Sequence, residues 1–272
     1  MQKTFYQKEL TIKKTLNRTA PNKSKKDIEK IQSWLNLFAM QNPNSGTATS
    51  IDGDFGPATE KAVMNFQKSN NLPQTGSVDQ TLFDLLSSPL KKAFESNITG
   101  NNLRELIVNT AKNHLINHPF ELVIDKQSNS GPWVRSYMDG NEGNDWFWCM
   151  GFVQAIIDQA ASIQGKNFKK LMQLTYSCDT VGMIGINKRI LTRNVLAQNN
   201  PSLIKPGDIF LIQKSKFDWI HTGIVIAVHN DTIETIEGNT NSDGSNNGNA
   251  VMNRIRNFKI SKIDFFSVDS LV

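Results

Sequence analysis

The stretch D-W-F-W-C-M-G-F-V, Asp145 to Val153, sets Cys149 at the head of an apolar run. A cysteine acts as a nucleophile when its thiolate is stabilised, and the N-terminus of a helix supplies positive potential for that. It then needs a base, and a third group to hold the base. Four histidines are available: His114, His118, His221 and His229. His221 opens the run H-T-G-I-V-I-A-V, and T-I-E-G-N follows it in the chain. Glu237 and Asn239 are two residues apart, so on a regular strand they share one face. Pairing of the two runs would bring one of them to the His221 imidazole, with Nδ1–H donating to a carboxylate or amide oxygen. His114 and His118 fall at a helix end and His229 at a hairpin tip, positions where histidine commonly caps or faces water. Singly, each of these residues reads more often as packing or surface than as chemistry.

The elements that must position them are legible in the pattern. Phe152, Val153, Ile156, Ile157 and Ala160 recur at helical spacing, which predicts a helix running from Cys149. Leu103, Leu106, Ile107, Thr110 and Ala111 predict an earlier one. Between them, the polar and glycine-spotted stretch from Gln127 to Asp145 reads as irregular. From Lys205 the runs K-P-G-D-I-F-L-I-Q, H-T-G-I-V-I-A-V, T-I-E-T-I-E-G, A-V-M-N-R-I-R and D-F-F-S-V-D are rich in β-branched and aromatic residues, with a tight turn at 229–231. Helices first and an antiparallel sheet last make this part α+β.

Upstream, Ser24 with Asp27 marks a helix start. Ile28, Ile31, Leu35 and Phe38 continue it; Pro57 begins a second helix with Ala58, Ala62, Val63 and Phe66 on one face; Leu82, Leu85 and Leu86 mark a third. Gly53 and Gly56 suit a tight turn whose amides Asp52 and Asp54 can bond. The predicted order is a basic arm at 1–23, a three-helix unit at 24–88, a polar linker at 89–102 and a second domain at 103–272. Lys13, Lys14, Lys23, Lys25 and Lys26 make the arm read as solvated or frayed, with a short strand at K-E-L-T-I-K-K-T-L.

Composition excludes several classes. Two cysteines in 272 residues are no disulfide framework. The net charge of +5 admits an anionic partner, but no recognition motif or aromatic-interleaved basic stripe points to nucleic acid. No apolar run is long enough to insert in a membrane. The N-terminus lacks the apolar core of an ordinary signal peptide. D-G-D at 52–54 looks like part of a calcium loop but lacks the glutamate that closes one, so no cofactor is expected there.

The run D-G-D-F-G-P-A-T-E-K-A-V-M-N-F-Q, followed by N-N-L-P-Q-T-G-S-V-D-Q-T-L-F-D-L-L, resembles the peptidoglycan-binding domain carried by many cell-wall hydrolases. The resemblance spans Asp27 to Leu86 and implies bacterial peptidoglycan as a partner. From about Leu103 to Asp269, N-S-G-P-W-V-R-S-Y-M-D-G, D-W-F-W-C-M-G-F-V, K-P-G-D-I-F-L-I, H-T-G-I-V-I-A-V and T-I-E-G-N-T-N, in this order, resemble the CHAP domain. That is the cysteine, histidine-dependent amidohydrolase/peptidase, a papain-like fold. The resemblance implies Cys149 as nucleophile, His221 as base, Glu237 as orienting acid and Asn239 as a supporting or alternative orienter. The bond cut is an amide of the wall, either N-acetylmuramoyl-L-alanine or one in the stem or cross-bridge.

Several finer readings depend on that resemblance. The Cys149 N–H forms half of an oxyanion hole, with Tyr137 or Asn144 as candidates for the other donor. Trp146 and Trp148, with Tyr137, are candidates for substrate binding; the tryptophans either wall a cleft or pack beneath the site. Some members hold calcium near the loop that here carries Asp139, Asn141 and Asp145. Met150-Gly151 stands where small residues are commoner, so Met150 is expected to narrow the site. Cys178 reads as a buried or peripheral thiol. The whole chain reads as a lysin or a secreted antibacterial effector, made in the cytoplasm and reaching the wall by holin release or a secretion machine. An effector implies an immunity or inhibitor protein as a further partner. The alternative is a non-catalytic wall-binding protein with a degenerate CHAP domain.

Overall fold

Two structural regions share a continuous apolar core in this computed structural model, which describes residues 1–243 and 245–271. The first begins with a short helix α1 (Tyr6–Glu9), then α2 (Lys25–Gln41), α3 (Pro57–Ser69), α4 (Gln80–Leu86) and α5 (Ser88–Glu95). Ser24 caps α2 by accepting from the Asp27 amide, and Pro57 opens α3, as the sequence suggests. The turn between α2 and α3 is built around Gln32, which is fully buried. Its Oε1 accepts from the Asp52 and Gly53 amides at 3.1 and 2.9 Å, and its Nε2 donates to Asp52 Oδ1 and the Asp54 carbonyl. Gly53 adopts φ +72°, which a side chain would strain.

The second region starts with α6 (Leu103–Ile116), a small hairpin of β1 (Leu122–Ile124) and β2 (Gln127–Ser130), and α7 (Pro132–Tyr137). Then come α8 (Cys149–Ile163), α9 (Cys178–Asn187), β3 (Leu191–Thr192) and α10 (Asn194–Asn199). The chain ends with β4 (Ile209–Ser215), β5 (Asp218–Val228), β6 (Thr232–Thr240), β7 (Ala250–Asn257) and β8 (Ile263–Phe266). The main sheet has the order β3-β8-β4-β5-β6-β7, with antiparallel pairing throughout. Helix α8 packs on β5 and β6 and is buried along nearly its whole length. The architecture is α+β, a helical unit followed by helices packed on an antiparallel sheet.

Three expectations need correction. Lys13, Lys14, Lys25 and Lys26 are exposed, but the arm is not frayed. Tyr6, Ile12 and Leu16 alternate with those lysines and are buried; Tyr6 stacks on Phe94 with ring centroids 4.4 Å apart. The Gln2 and Lys3 amides donate to Asp158 on α8, and Leu16 pairs with Val78 through two backbone bonds, so the arm straps the two regions together. K-E-L-T-I-K-K-T-L is therefore a helix end and an extended segment rather than a strand. The polar stretch after α4 contains α5, because Leu90, Ala93 and Phe94 sit at helical spacing and bury one face. The stretch 127–145 contains α7, whose Trp133, Val134 and Tyr137 are core residues behind a polar exterior.

Candidate active site

Cys149 is the first residue of α8. Two glycines allow its close setting. A Cβ on Gly151 would lie 2.7 Å from the Tyr137 carbonyl oxygen, and one on Gly238 2.7 Å from Phe152 Cβ, so α8 approaches both α7 and β6 more closely than a side chain permits. Met150, expected to narrow the site, is fully buried in the core and does not line the cleft that holds Trp146 and Tyr176. A helix-start thiolate gains from the unbonded amides and dipole of the first turn.

His221 on β5 and Glu237 on β6 are brought together as the strand pairing suggests. The His221 Nε2 to Glu237 Oε2 distance is 2.9 Å, and both side chains are fully buried. The ring nitrogen, however, differs from the expectation: Nε2, not Nδ1, meets the carboxylate. Nδ1 has no partner of regular hydrogen-bond geometry among the described residues and is the nitrogen left to face Cys149. Gly223 makes room for the pair; a Cβ there would sit 2.8 Å from Glu237 Cγ and 2.7 Å from the Phe210 ring.

Glu237 has further partners that sequence reasoning missed. Arg256 on β7 clasps it with two donors, Nε at 2.6 Å from Oε1 and Nη2 to Oε2, and Thr235 Oγ1 donates to Oε1 at 2.5 Å. Imidazole, carboxylate and guanidinium thus run across three adjacent strands. Burial pushes the Glu237 carboxyl up, but hydrogen bonds and charge from Arg256 and His221 outweigh it and bring the pKa to about 2. Burial likewise pushes His221 down, and the bonds and charges of Cys149 and Glu237 lift it to about 9. Cys149 is held well below an ordinary thiol, first by a hydrogen bond from Cys178 and then, against the cost of burial, by His221 and the Met150 amide. Both shifts run in the direction of a thiolate beside an imidazolium.

The partnership with Cys178 is the largest surprise of the site. Cys178 begins α9 and is pushed well above an ordinary thiol by its bond to Cys149, burial and the neighbouring negative charges. It is buried, as the sequence reading has it, but it lies against the candidate nucleophile. The only signal in the sequence is that it follows a helix-capping serine, as a second cysteine at a second helix start.

Asn239 does not join His221. Strand β6 shifts register between Glu237 and Thr240, and Asn239 adopts φ +58°, so the two-residue alternation that would align it with Glu237 is broken. Its side-chain oxygen and nitrogen are buried without partners among the described residues. Tyr137 is also corrected, and Trp148 takes the second of its two readings. Both are fully buried and stack on each other at 5.7 Å; Tyr137 Oη is bonded to His114 Nδ1, and Trp148 Nε1 donates to Glu121 Oε2. They pack beneath the site. Asn144 Oδ1 accepts from the Ser128 amide, which ties it to β2. Trp146 remains at the surface of a cleft with Phe147, Tyr176 and Ser177, edge-on to Tyr176. That cleft lies between the loops that lead into α8 and α9.

The loop considered for calcium does not fit a metal. Lys3 Nζ, fully buried, donates to Asp139 Oδ2 at 2.6 Å, and Tyr176 Oη donates to the same oxygen. Asn141 Nδ2 is spent on the Met138 carbonyl. No group of three or more His, Cys, Asp or Glu side chains among the described residues is arranged to hold a metal ion. An ammonium already neutralises the one carboxylate that is partly buried there.

Taken together, the site has a thiol pushed well down, an imidazole bonded to a buried carboxylate, and a cleft lined by residues that precede Cys149 and Cys178. None of the described helices is long and apolar enough to cross a membrane. Comparison with curated proteins and comparison with solved structures each gave no match. Residues 24–86 match the family model "Putative peptidoglycan binding domain", so the three-helix unit of α2, α3 and α4 is a peptidoglycan-binding domain.

Proposed function

We propose that the chain is a cysteine-dependent peptidoglycan hydrolase of the CHAP type, cutting an amide bond of the wall. The observation that carries this reading is the buried 2.9 Å His221–Glu237 pair, which leaves the second imidazole nitrogen unbonded, with the Cys149 thiol at a helix start among the neighbours that raise the imidazole. A buried charged pair of this kind is costly to keep and adds little stability over apolar packing. A requirement for a thiolate–imidazolium couple accounts for it.

In the proposed reaction the Cys149 thiolate attacks the amide carbonyl. The oxyanion that forms accepts from the Cys149 amide at the start of α8. His221 gives its Nδ1 proton to the departing amine, the C–N bond breaks, and a thioester remains. His221, now neutral, takes a proton from water, which attacks the thioester and releases the carboxylate product and the thiolate. Glu237 stays ionised throughout, held by Arg256 and Thr235, and stabilises the imidazolium. The peptidoglycan-binding domain raises the local concentration of substrate by tethering. The exposed Trp146–Tyr176 cleft is where the stem peptide or sugar would lie. Both amidase and endopeptidase specificity suit this chemistry.

The test is mass spectrometry of fragments released from purified sacculi. New amino termini on stem peptides, or free lactyl carboxylates on the glycan, would name the bond. If the wild-type protein sediments with sacculi yet releases nothing, the chain is a wall-binding protein with a silent thiol site.

A further inference from the structure

The active-site region holds two thiols where the proposed reaction uses one. Cys149 and Cys178 are each the first residue of an α-helix, and each is buried. Side chains on a helix lean toward its N-terminus, so two residues at helix starts project off the ends of their helices into the space the ends share. Tethers on both sides hold those ends together. Gln154, on α8, accepts from the Thr175 amide at 3.0 Å and donates to the Gln173 carbonyl, which binds the segment before α9 to α8. Asp179, the residue after Cys178, accepts from the Trp219 amide at 2.6 Å, two residues before His221. A Cβ on Gly182 would strike the Trp219 ring at 2.4 Å, so α9 lies tight on β5. Cys178 is thereby held near the start of α8, the loops leading into the two helices line one cleft, and each thiol is the largest influence on the other's protonation, Cys149 pushed down and Cys178 up.

We infer that Cys149 and Cys178 form a two-thiol oxidation site, which low-molecular-weight disulfides close into an intramolecular disulfide that withdraws Cys149 from electrophiles. The inference that closure also stops wall hydrolysis rests on the function proposed above. The chemistry balances with a glutathione-type disulfide as oxidant. The Cys149 thiolate attacks one sulfur, the S–S bond of the oxidant breaks, and one thiolate leaves. The resulting mixed disulfide carries no charge at Cys149. The influence of Cys149 that helps hold the proton on Cys178 is then gone, while burial and Asp179 still act on it. Cys178 loses that proton to the medium, attacks the Cys149 sulfur and expels the second thiol. Two protein thiols are oxidised by two electrons, and one small disulfide is reduced to two thiols. Reduction by a dithiol runs the same steps in reverse. The chain would be armed in a reducing compartment and locked in an oxidising one, and a neighbouring thiol would also spare Cys149 from irreversible oxidation.

The full-length protein, equilibrated with oxidised glutathione, then alkylated and digested without reduction, tests this directly. The expected result is a Cys149–Cys178 linked peptide, a protein lighter by two hydrogens with no glutathione attached, and loss of rapid iodoacetamide labelling at Cys149, all restored by dithiothreitol. Cys178→Ser under the same treatment is expected to retain one glutathione on Cys149, because nothing resolves the mixed disulfide. A stable glutathione adduct on the wild type, or two thiols that stay free, overturns the inference. The labelling readout does not depend on hydrolysis. If labelling behaves as expected while reduced protein releases no wall fragments, the oxidation site stands and the proposed hydrolase falls.

Discussion

The peptidoglycan-binding domain and the Cys149 site are built on opposite plans. In the first, the residues that shape the structure are close in the chain: Gln32 reaches Asp52, Gly53 and Asp54, and Gln67 reaches Gly76 and Ser77. In the second, a thiol on α8, an imidazole on β5, a carboxylate on β6 and a guanidinium on β7 are drawn from more than a hundred residues of chain. The local plan makes a shape held by short-range hydrogen bonds. The long-range plan makes an electrostatic device, in which each group's charge depends on its neighbours. Recognition of a repetitive polymer needs mainly shape, whereas cleavage of an amide needs a controlled proton.

The comparison breaks first at Cys149. Cys149→Ala is expected to lower release of wall fragments by roughly 10⁴-fold or more while leaving co-sedimentation with sacculi unchanged. Loss of both, or of neither, would mean that the two regions do not divide binding from chemistry.

The next effect concerns Glu237. Glu237→Gln keeps shape but removes the charge that stabilises the imidazolium, and turnover is expected to fall by roughly 10²- to 10⁴-fold. Asn239→Ala, which loses no bond to His221, is expected to slow the proposed reaction less. In the wild type kcat/KM for that reaction should hold across neutral pH and decline as pH rises through about 9, where His221 loses the proton that the proposed mechanism has it deliver. In Glu237→Gln that limb should move to lower pH, because one of the causes raising His221 is gone. An unmoved alkaline limb would put the orienting charge elsewhere.

The same two groups link stability to pH. Glu237 titrates near 2 in the folded chain against an ordinary 4.5, so its contribution is present above pH 4.5 and is lost as pH falls toward 2. His221 titrates near 9 against 6.5, so its contribution is complete below pH 6.5 and is lost as pH rises through 9. Thermal unfolding from pH 2 to 10 is expected to show a plateau flanked by both declines. The Glu237 part is worth on the order of 3 kcal/mol. An acid limb of the same depth in Glu237→Gln would assign it to other carboxylates.

The smallest expected effect sharpens the comparison from the binding side. Gln32→Leu leaves the Asp52 and Gly53 amides of the turn without their acceptor, at a cost of about 2 kcal/mol. Sacculus binding should weaken, while cleavage of soluble muropeptides should not change. A fall in both would show that the strap formed by residues 1–16 transmits the damage.

What the sequence by itself determined is the part of the molecule in which cause and effect lie close together. The Ser24 cap, Pro57, the D-G-D turn and the period of Ile28, Ile31 and Leu35 are local steric and hydrogen-bonding facts, and the helices of 24–86 follow from them. The five long strands and the helix from Cys149 are legible for the same reason, and so is the nearness of His221 to Glu237, because a hairpin turn joins their strands. Tertiary structure decided the rest. The bulge at Asn239, the clasp of Arg256 on Glu237, the burial of Trp148 and Tyr137 and the Lys3–Asp139 pair each depend on which distant surface arrives. Whether Cys178 is a spectator or a partner depends on two helix ends meeting, which neither helix encodes alone. Local pattern sets what an element is and which face is apolar; long-range packing sets dielectric, charge and contact, and those set the chemistry.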